Sequence, residues 1–202
     1  MIKKLYPNGK SKAFNVSYDD GVLQDVRFVN LLNQYGLKGT FNLNSGLMEN
    51  EFEWIHETGC IVKRLSKENV LSLYNGHEVS SHTLTHPFMQ EKTENEIMKE
   101  LEVDKKNLEK LFGRQIKGFA GHTYDFDTEN MWDKIETILK KISLQKDILP
   151  MTTIEIIDYL KAMEQVEITE SHIINNSEQT LWFLVDNVVH EVKAKRKLSY
   201  AK

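Results

Sequence analysis

Apolar and polar residues alternate through Ala13-Phe14-Asn15-Val16-Ser17, and the alternation stops at Asp19-Asp20-Gly21; this predicts a strand running into a turn. Val22, Val26, Val29, Leu31 and Leu32 then recur near helical spacing, and Gly36 supplies the left-handed residue that commonly closes a helix. Thr40-Phe41-Asn42-Leu43 predicts a second strand. Ser66 is placed to cap a short helix through Val70, Leu71 and Leu73 that ends near Asn75-Gly76, and His77 to Ser81 predicts a third strand. Thr93 followed by Glu96 has the spacing of a capping box, and Ile97, Leu101, Leu108 and Leu111 continue an amphipathic helix stopped at Gly113. Ile116 to Ala120 predicts a fourth strand.

Strand-then-helix units of this kind predict an α/β domain with a mainly parallel sheet, whose ligands sit at the C-terminal ends of the strands. Past Ala120 the rhythm changes. Gly121 to Asp127 is polar and aromatic, one helix is expected around Trp132, Ile135, Ile138, Leu139 and Ile142, and another from Ile154 to Ala162. The tail predicts short antiparallel strands at Val166 to Thr169, Leu181 to Val185 and Val188 to Val192, with Asp186-Asn187 as a tight hairpin turn. The expected division is an α/β domain over residues 1–163 and a small β appendage over 164–202.

Composition narrows the function classes. A chain of 202 residues with 40% hydrophobic and 28% charged residues is large enough to bury a core around a site. A net charge of −4, with both signs interspersed, gives no field suited to many phosphates, so nucleic acid is not an expected partner. No apolar run reaches the length of a signal peptide core or a membrane span, so the expectation is a cytoplasmic protein with no membrane partner. Cys60 is the single cysteine, so a metal site here must be built from histidine and carboxylate.

Two short elements carry candidate chemistry. Asp19 and Asp20 would point to opposite faces of a regular strand, and both reach one site only if the strand ends there; Gly21 permits that ending. Alone, Asp-Asp-Gly reads first as a helix N-cap. His82 and His86 stand four positions apart, with Pro87 restricting His86 to a non-helical backbone, so they are expected on an irregular turn past the third strand. Two histidines and one carboxylate leave positions open on a divalent metal, although a histidine pair in a chain with 7 histidines is weak evidence by itself.

Together the elements resemble a known family. Asn15-Val16-Ser17-Tyr18-Asp19-Asp20-Gly21, Lys38-Gly39-Thr40-Phe41 and Gly76-His77-Glu78-Val79-Ser80-Ser81-His82-Thr83-Leu84-Thr85-His86-Pro87 resemble, in order and spacing, the first two motifs of the polysaccharide deacetylases, the NodB-homology group of carbohydrate esterase family 4. The resemblance implies an incomplete or distorted (β/α) barrel with the short antiparallel β tail appended. It also implies metal ligands Asp20, His82 and His86, and Asp19 as general base. Gly121-His122-Thr123-Tyr124-Asp125-Phe126-Asp127 resembles a late motif of one branch, which makes His122 the general acid.

The implied cofactor is a divalent metal, zinc first, with cobalt, nickel, manganese or iron as alternatives. The implied activity is N-deacetylation of a small saccharide or related amide. A catalytically impaired metal-binding pseudoenzyme is the alternative, because the Pro-Gly motif and the strand-helix units that normally separate the second motif from the late histidine are missing after Ala120. Such a deletion is expected to open the sheet and leave an edge that a homodimer could cover.

Overall fold

The computed structural model describes residues 1–48, 53–55, 59–120 and 129–200. In chain order the elements are β1 (Ile2–Leu5), β2 (Lys12–Phe14), β3 (Val16–Asp19), α1 (Gln24–Gln34), β4 (Gly39–Leu43), β5 (Glu53–Ile55), β6 (Ile61–Lys63), α2 (Lys67–Leu73) and β7 (Glu78–Ser81). They continue with α3 (Glu94–Phe112), α4 (Glu129–Ser143), β8 (Ile148–Pro150), α5 (Thr153–Glu164), β9 (Val166–Ile168), β10 (His172–Asn175), β11 (Leu181–Val185), β12 (Val188–Val192) and β13 (Lys197–Ser199).

Local capping signals in the sequence account for the starts of α2, α3 and α5. The Ser66 side chain accepts from the Asn69 N–H at the start of α2. Thr93 and Glu96 form both halves of a capping box on α3, which Gly113 ends in the left-handed conformation. α5 carries a second capping box, Thr152 with Glu155. Each cap satisfies N–H groups that the first helical turn leaves without an internal partner.

A parallel sheet in the order β3-β4-β7 forms the centre of the chain. Its middle strand is buried throughout, with Phe41 and Leu43 fully enclosed. α1 packs Phe28, Val29 and Leu32 into the same cluster, α2 adds Val70, Tyr74 lies just past α2, and α3 adds Leu108. A second hydrophobic cluster gathers Met151, Tyr159, Ala162 and Met163 with Ile173, Leu181, Phe183, Val185 and Val192, and Ile2 and Tyr6 pack against it.

The expected α/β organisation holds in part, and some details differ. As expected of an incomplete barrel, none closes among the described residues: strands fall into five small sheets, with parallel pairing in β2-β8 and β3-β4-β7 and antiparallel pairing in the other three. Parallel character therefore belongs to the sheet under Asp19 and Asp20 and to the β2-β8 pair, and not to the chain as a whole. The expected strand over 116–120 is reduced to a single parallel bridge between Ser81 and Phe119, flanked by bonds from Ser81 N to Gly118 O and from Ala120 N to Ser81 O. That contact still covers the edge of β7 beside Ser81. The alternation over 13–17 is split at Asn15, so that β2 pairs with β8 and β3 with β4.

The tail strands do not make one sheet: β11 and β12 form a hairpin extended by β1, while β9 pairs with β10 and β13. The hairpin turn stands where it was expected, with Asp186 at φ 47° and Asn187 at φ 68°, the left-handed pair of a two-residue turn. No helix among the described residues is long and apolar enough to cross a membrane.

Candidate metal centre

β3 and β7 run parallel on either side of β4, so their C-terminal ends open on the same rim. β3 stops at Asp19, and the chain turns through Asp20 at φ 80° and Gly21 at φ 64°. Left-handed backbone is costly at Asp20, and it swings the Asp20 side chain toward the segment after β7. There the backbone is again irregular, with Thr83 at φ 73° and His86 at φ 55°. Cross-strand bonds fix both exits: Asp20 N donates to Asn42 O (2.9 Å) and His82 N to Leu43 O (2.9 Å).

The result is one cluster. Asp20, His82 and His86 each offer a ligand atom, and these atoms all lie within 4.8 Å of one another. Asp20 Oδ1 is 4.0 Å from His82 Nε2 and 3.6 Å from His86 Nε2. Donors about 2.1 Å from a shared ion stand roughly 3–4 Å apart, so the spacing fits a small divalent cation. His82 Nδ1 lies 2.8 Å from the Ala120 carbonyl; a carbonyl can only accept, so Nδ1 carries a proton, which leaves Nε2 as the nitrogen that can serve as a metal ligand. Asp20 Oδ1 is buried and makes no hydrogen bond of acceptable geometry among the described residues, although Arg64 Nη1 stands 2.8 Å away. A buried carboxylate oxygen so placed, facing two imidazoles, is a donor set suited to zinc or a similar ion.

Asp19 is held separately. Asn42 Nδ2 donates to its Oδ1 at 2.6 Å and to Ser17 Oγ at 2.8 Å. His122, expected as the proton donor, lies outside the described residues.

Several groups that shape this rim were not anticipated. Arg64 bonds the Asp20 carbonyl, reaches Asn44 Oδ1 at 2.7 Å and lies over the Trp54 ring at 5.5 Å. Asn44 Nδ2 donates to the carbonyls of His82 (2.5 Å) and Thr83 (2.9 Å). Asp104 of α3, fully buried, accepts from Ser45 N (2.7 Å) and Ser81 Oγ (2.5 Å), and its burial pushes its carboxyl above the usual range. One signal was available: Asn42 in β4 and Asn44 just past it alternate with the apolar Phe41 and Leu43, and Asn42 pairs with Asp19 across the sheet. Arg64 and Asp104 have no comparable mark in the sequence.

Other candidates resolve into structural roles. His77 accepts from Gly39 N at Nδ1 (3.1 Å) and reaches Asn33 Oδ1 from Nε2 (3.2 Å), which fixes a neutral ring, and burial lowers its pKa. Glu78 accepts from Thr40 Oγ1 (2.8 Å) and from Ile154 N (2.9 Å), holding the first turn of α5. Cys60 is half-buried and receives Gln24 Nε2 at 3.3 Å. Trp132 is buried in the main cluster, while Trp54 and Trp182 are half-buried. A cavity of about 330 Å³ lies at the opposite, N-terminal end of β7, lined by Lys38, His77, Glu78, Arg114, Lys117 and Glu155 among others. Its charges are largely spoken for, Lys38 by Glu155 and Lys117 by Asp158.

No curated protein sequence matches the chain. Solved structures do. The peptidoglycan deacetylase PdaC of Bacillus subtilis aligns with a TM-score of 0.55 at 15% identity, over 79% of this chain and 96% of that one. A family 4 carbohydrate esterase of Bacillus anthracis aligns with a TM-score of 0.54 at 11% identity, over 77% and 86%. The Xyl-CE4 domain of a multidomain xylanase from the hindgut metagenome of Trinervitermes trinervoides gives 0.42 at 23% identity, over 55% of this chain. The chain spans about half the length of that domain and of others it matches, 48%, 44% and 51% in three cases. The model of the family described as polysaccharide deacetylase matches residues 7–129, which include Asp19, Asp20, His82 and His86. With more than half of its length matched, the chain belongs to the polysaccharide deacetylase family.

Proposed function

We propose that this protein is a metal-dependent N-deacetylase that removes acetate from an N-acetylated saccharide or a related small amide. The observation that carries the reading is the convergence of Asp20, His82 and His86 at the C-terminal rim of the parallel sheet, with Asp19 next to them on the same strand end. Deacetylation is also the activity named for PdaC. Asp20, His82 and His86 would hold the cation, zinc before cobalt, nickel, manganese or iron. A bound divalent cation supplies Lewis-acid chemistry, lowering the pKa of water and stabilising negative charge on a carbonyl oxygen.

The protein's own residues would supply the rest. Asp19, oriented by Asn42, takes a proton from the attacking water as its oxygen bonds to the acetamide carbon. His122 returns a proton to the nitrogen as the C–N bond breaks, leaving acetate and a free amine. A cytoplasmic location fits a soluble saccharide or amide rather than an extracellular polymer. Self-association through an open sheet edge belongs to the same reading, and a single species of monomer mass in sedimentation would remove it.

A second reading, metal binding without turnover, draws support from the short parallel sheet of three strands. Acetate release from N-acetylated oligosaccharides separates the two. Turnover in the intact chain, abolished in Asp19→Ala and in His82→Ala, establishes the deacetylase; metal bound in the intact chain with no acetate released establishes the second reading.

A further inference from the structure

The two ligand-bearing turns come from strands that do not touch, β3 and β7, and a pair of buried side chains joins them. We propose that Asn44 is a positioning residue for the metal centre, acting with Arg64 as a clamp that holds the Asp20 turn against the His82–Thr83 backbone. The inference rests on the metal-centre reading above and adds to it which residues set the spacing of the ligands.

Asn44 is 1% exposed and directly follows β4, between the two turns. Its amide nitrogen donates to both His82 O and Thr83 O, so one side chain pins two consecutive carbonyls where the backbone enters the left-handed region at Thr83. Its amide oxygen accepts from Arg64 Nη1. The same Arg64 nitrogen bonds the carbonyl of Asp20, also left-handed, and stands 2.8 Å from Asp20 Oδ1. Arg64 is held in turn: its side chain is 8% exposed and the Trp54 ring lies under the guanidinium. The path Asp20, Arg64, Asn44, His82 is therefore continuous and buried. Strained backbone persists only where its surroundings over-determine it, and this clamp bears on Asp20 and Thr83 together. Partners that orient metal ligands typically influence affinity by about 10- to 100-fold.

The test uses the full chain stripped with a chelator and titrated with Co²⁺, read by visible absorption and by competition with a chromophoric chelator. Asn44→Ala and Arg64→Lys leave the ligands in place and do not change the charge beside them. Each is expected to weaken Co²⁺ binding about 10- to 100-fold and to alter the visible bands of the bound ion. A residue with only a structural role would lower the melting temperature and leave the spectrum of the loaded, folded protein as it was; that result overturns the proposal, as does unchanged affinity in both variants. If Asn44→Ala does not fold by circular dichroism, Arg64→Lys decides alone. Failure of the unmodified chain to bind Co²⁺ any better than His82→Ala would instead refute the metal centre itself.

Discussion

Asp25 is completely buried on α1, and its carboxyl is pushed well above the ordinary range, chiefly by loss of solvation. Its Oδ2 accepts from the Tyr74 hydroxyl, its Oδ1 has no hydrogen-bond partner among the described residues, and the other charges acting on it are those of Asp20 and Arg64. In the unfolded chain this carboxyl titrates near 3.9. Between that pH and the raised native value the folded state binds more protons than the unfolded one, so folding stability falls as pH rises, by at most about 1.4 kcal/mol per pH unit. The contribution is fully present below about pH 4 and is lost as pH climbs through the native pKa. Asp25→Asn keeps the shape and removes the titration. In urea denaturation of the chelator-treated proteins, the stability of Asp25→Asn minus that of the unmodified chain should grow from pH 4 upward and then level off; taking the difference cancels groups common to both. A difference that stays constant from pH 4 to 8 would refute the claim that the fold holds this carboxyl protonated.

Three further substitutions test the packing around the rim. Thr93→Ala removes the side-chain half of the α3 capping box, the bond from Glu96 N to Thr93 Oγ1, and should lower stability by about 1 kcal/mol in urea denaturation. Leu32→Ala empties a fully buried position between α1 and the sheet, with an expected loss of about 2–5 kcal/mol by the same measurement. A Cβ at Gly46 would lie 2.6 Å from the Leu84 carbonyl oxygen, so Gly46→Ala must push apart the segments after β4 and β7. It should cost about 1–3 kcal/mol and weaken Co²⁺ binding as well.

Much of the site-bearing half is legible in the sequence because its signals are local. Ser66, Thr93 and Gly113 mark helix ends through their own bonds to nearby backbone, and Asp19-Asp20-Gly21 marks the end of β3. The pairings that escaped notice depend on distant segments: β1 finds β11 at the far end of the chain, and β2 finds β8 across more than a hundred residues. No periodicity within either strand specifies such a partner. At the site, the spacing of His82 and His86 was readable, and so was their place after a strand. Arg64 was not, because its role arises only when β6 and the Asp20 turn are brought together in space, as the bonds from Leu23 N to Lys63 O and from Leu65 N to Gly21 O show.

The central claim, that Asp20, His82 and His86 form one metal centre, is tested most directly by metal content. The purified chain, loaded with Zn²⁺ and dialysed exhaustively, is analysed by atomic emission beside His82→Ala. One tightly held ion per chain, lost in the variant, is the predicted result; equal metal in both proteins, or none in either, would contradict it.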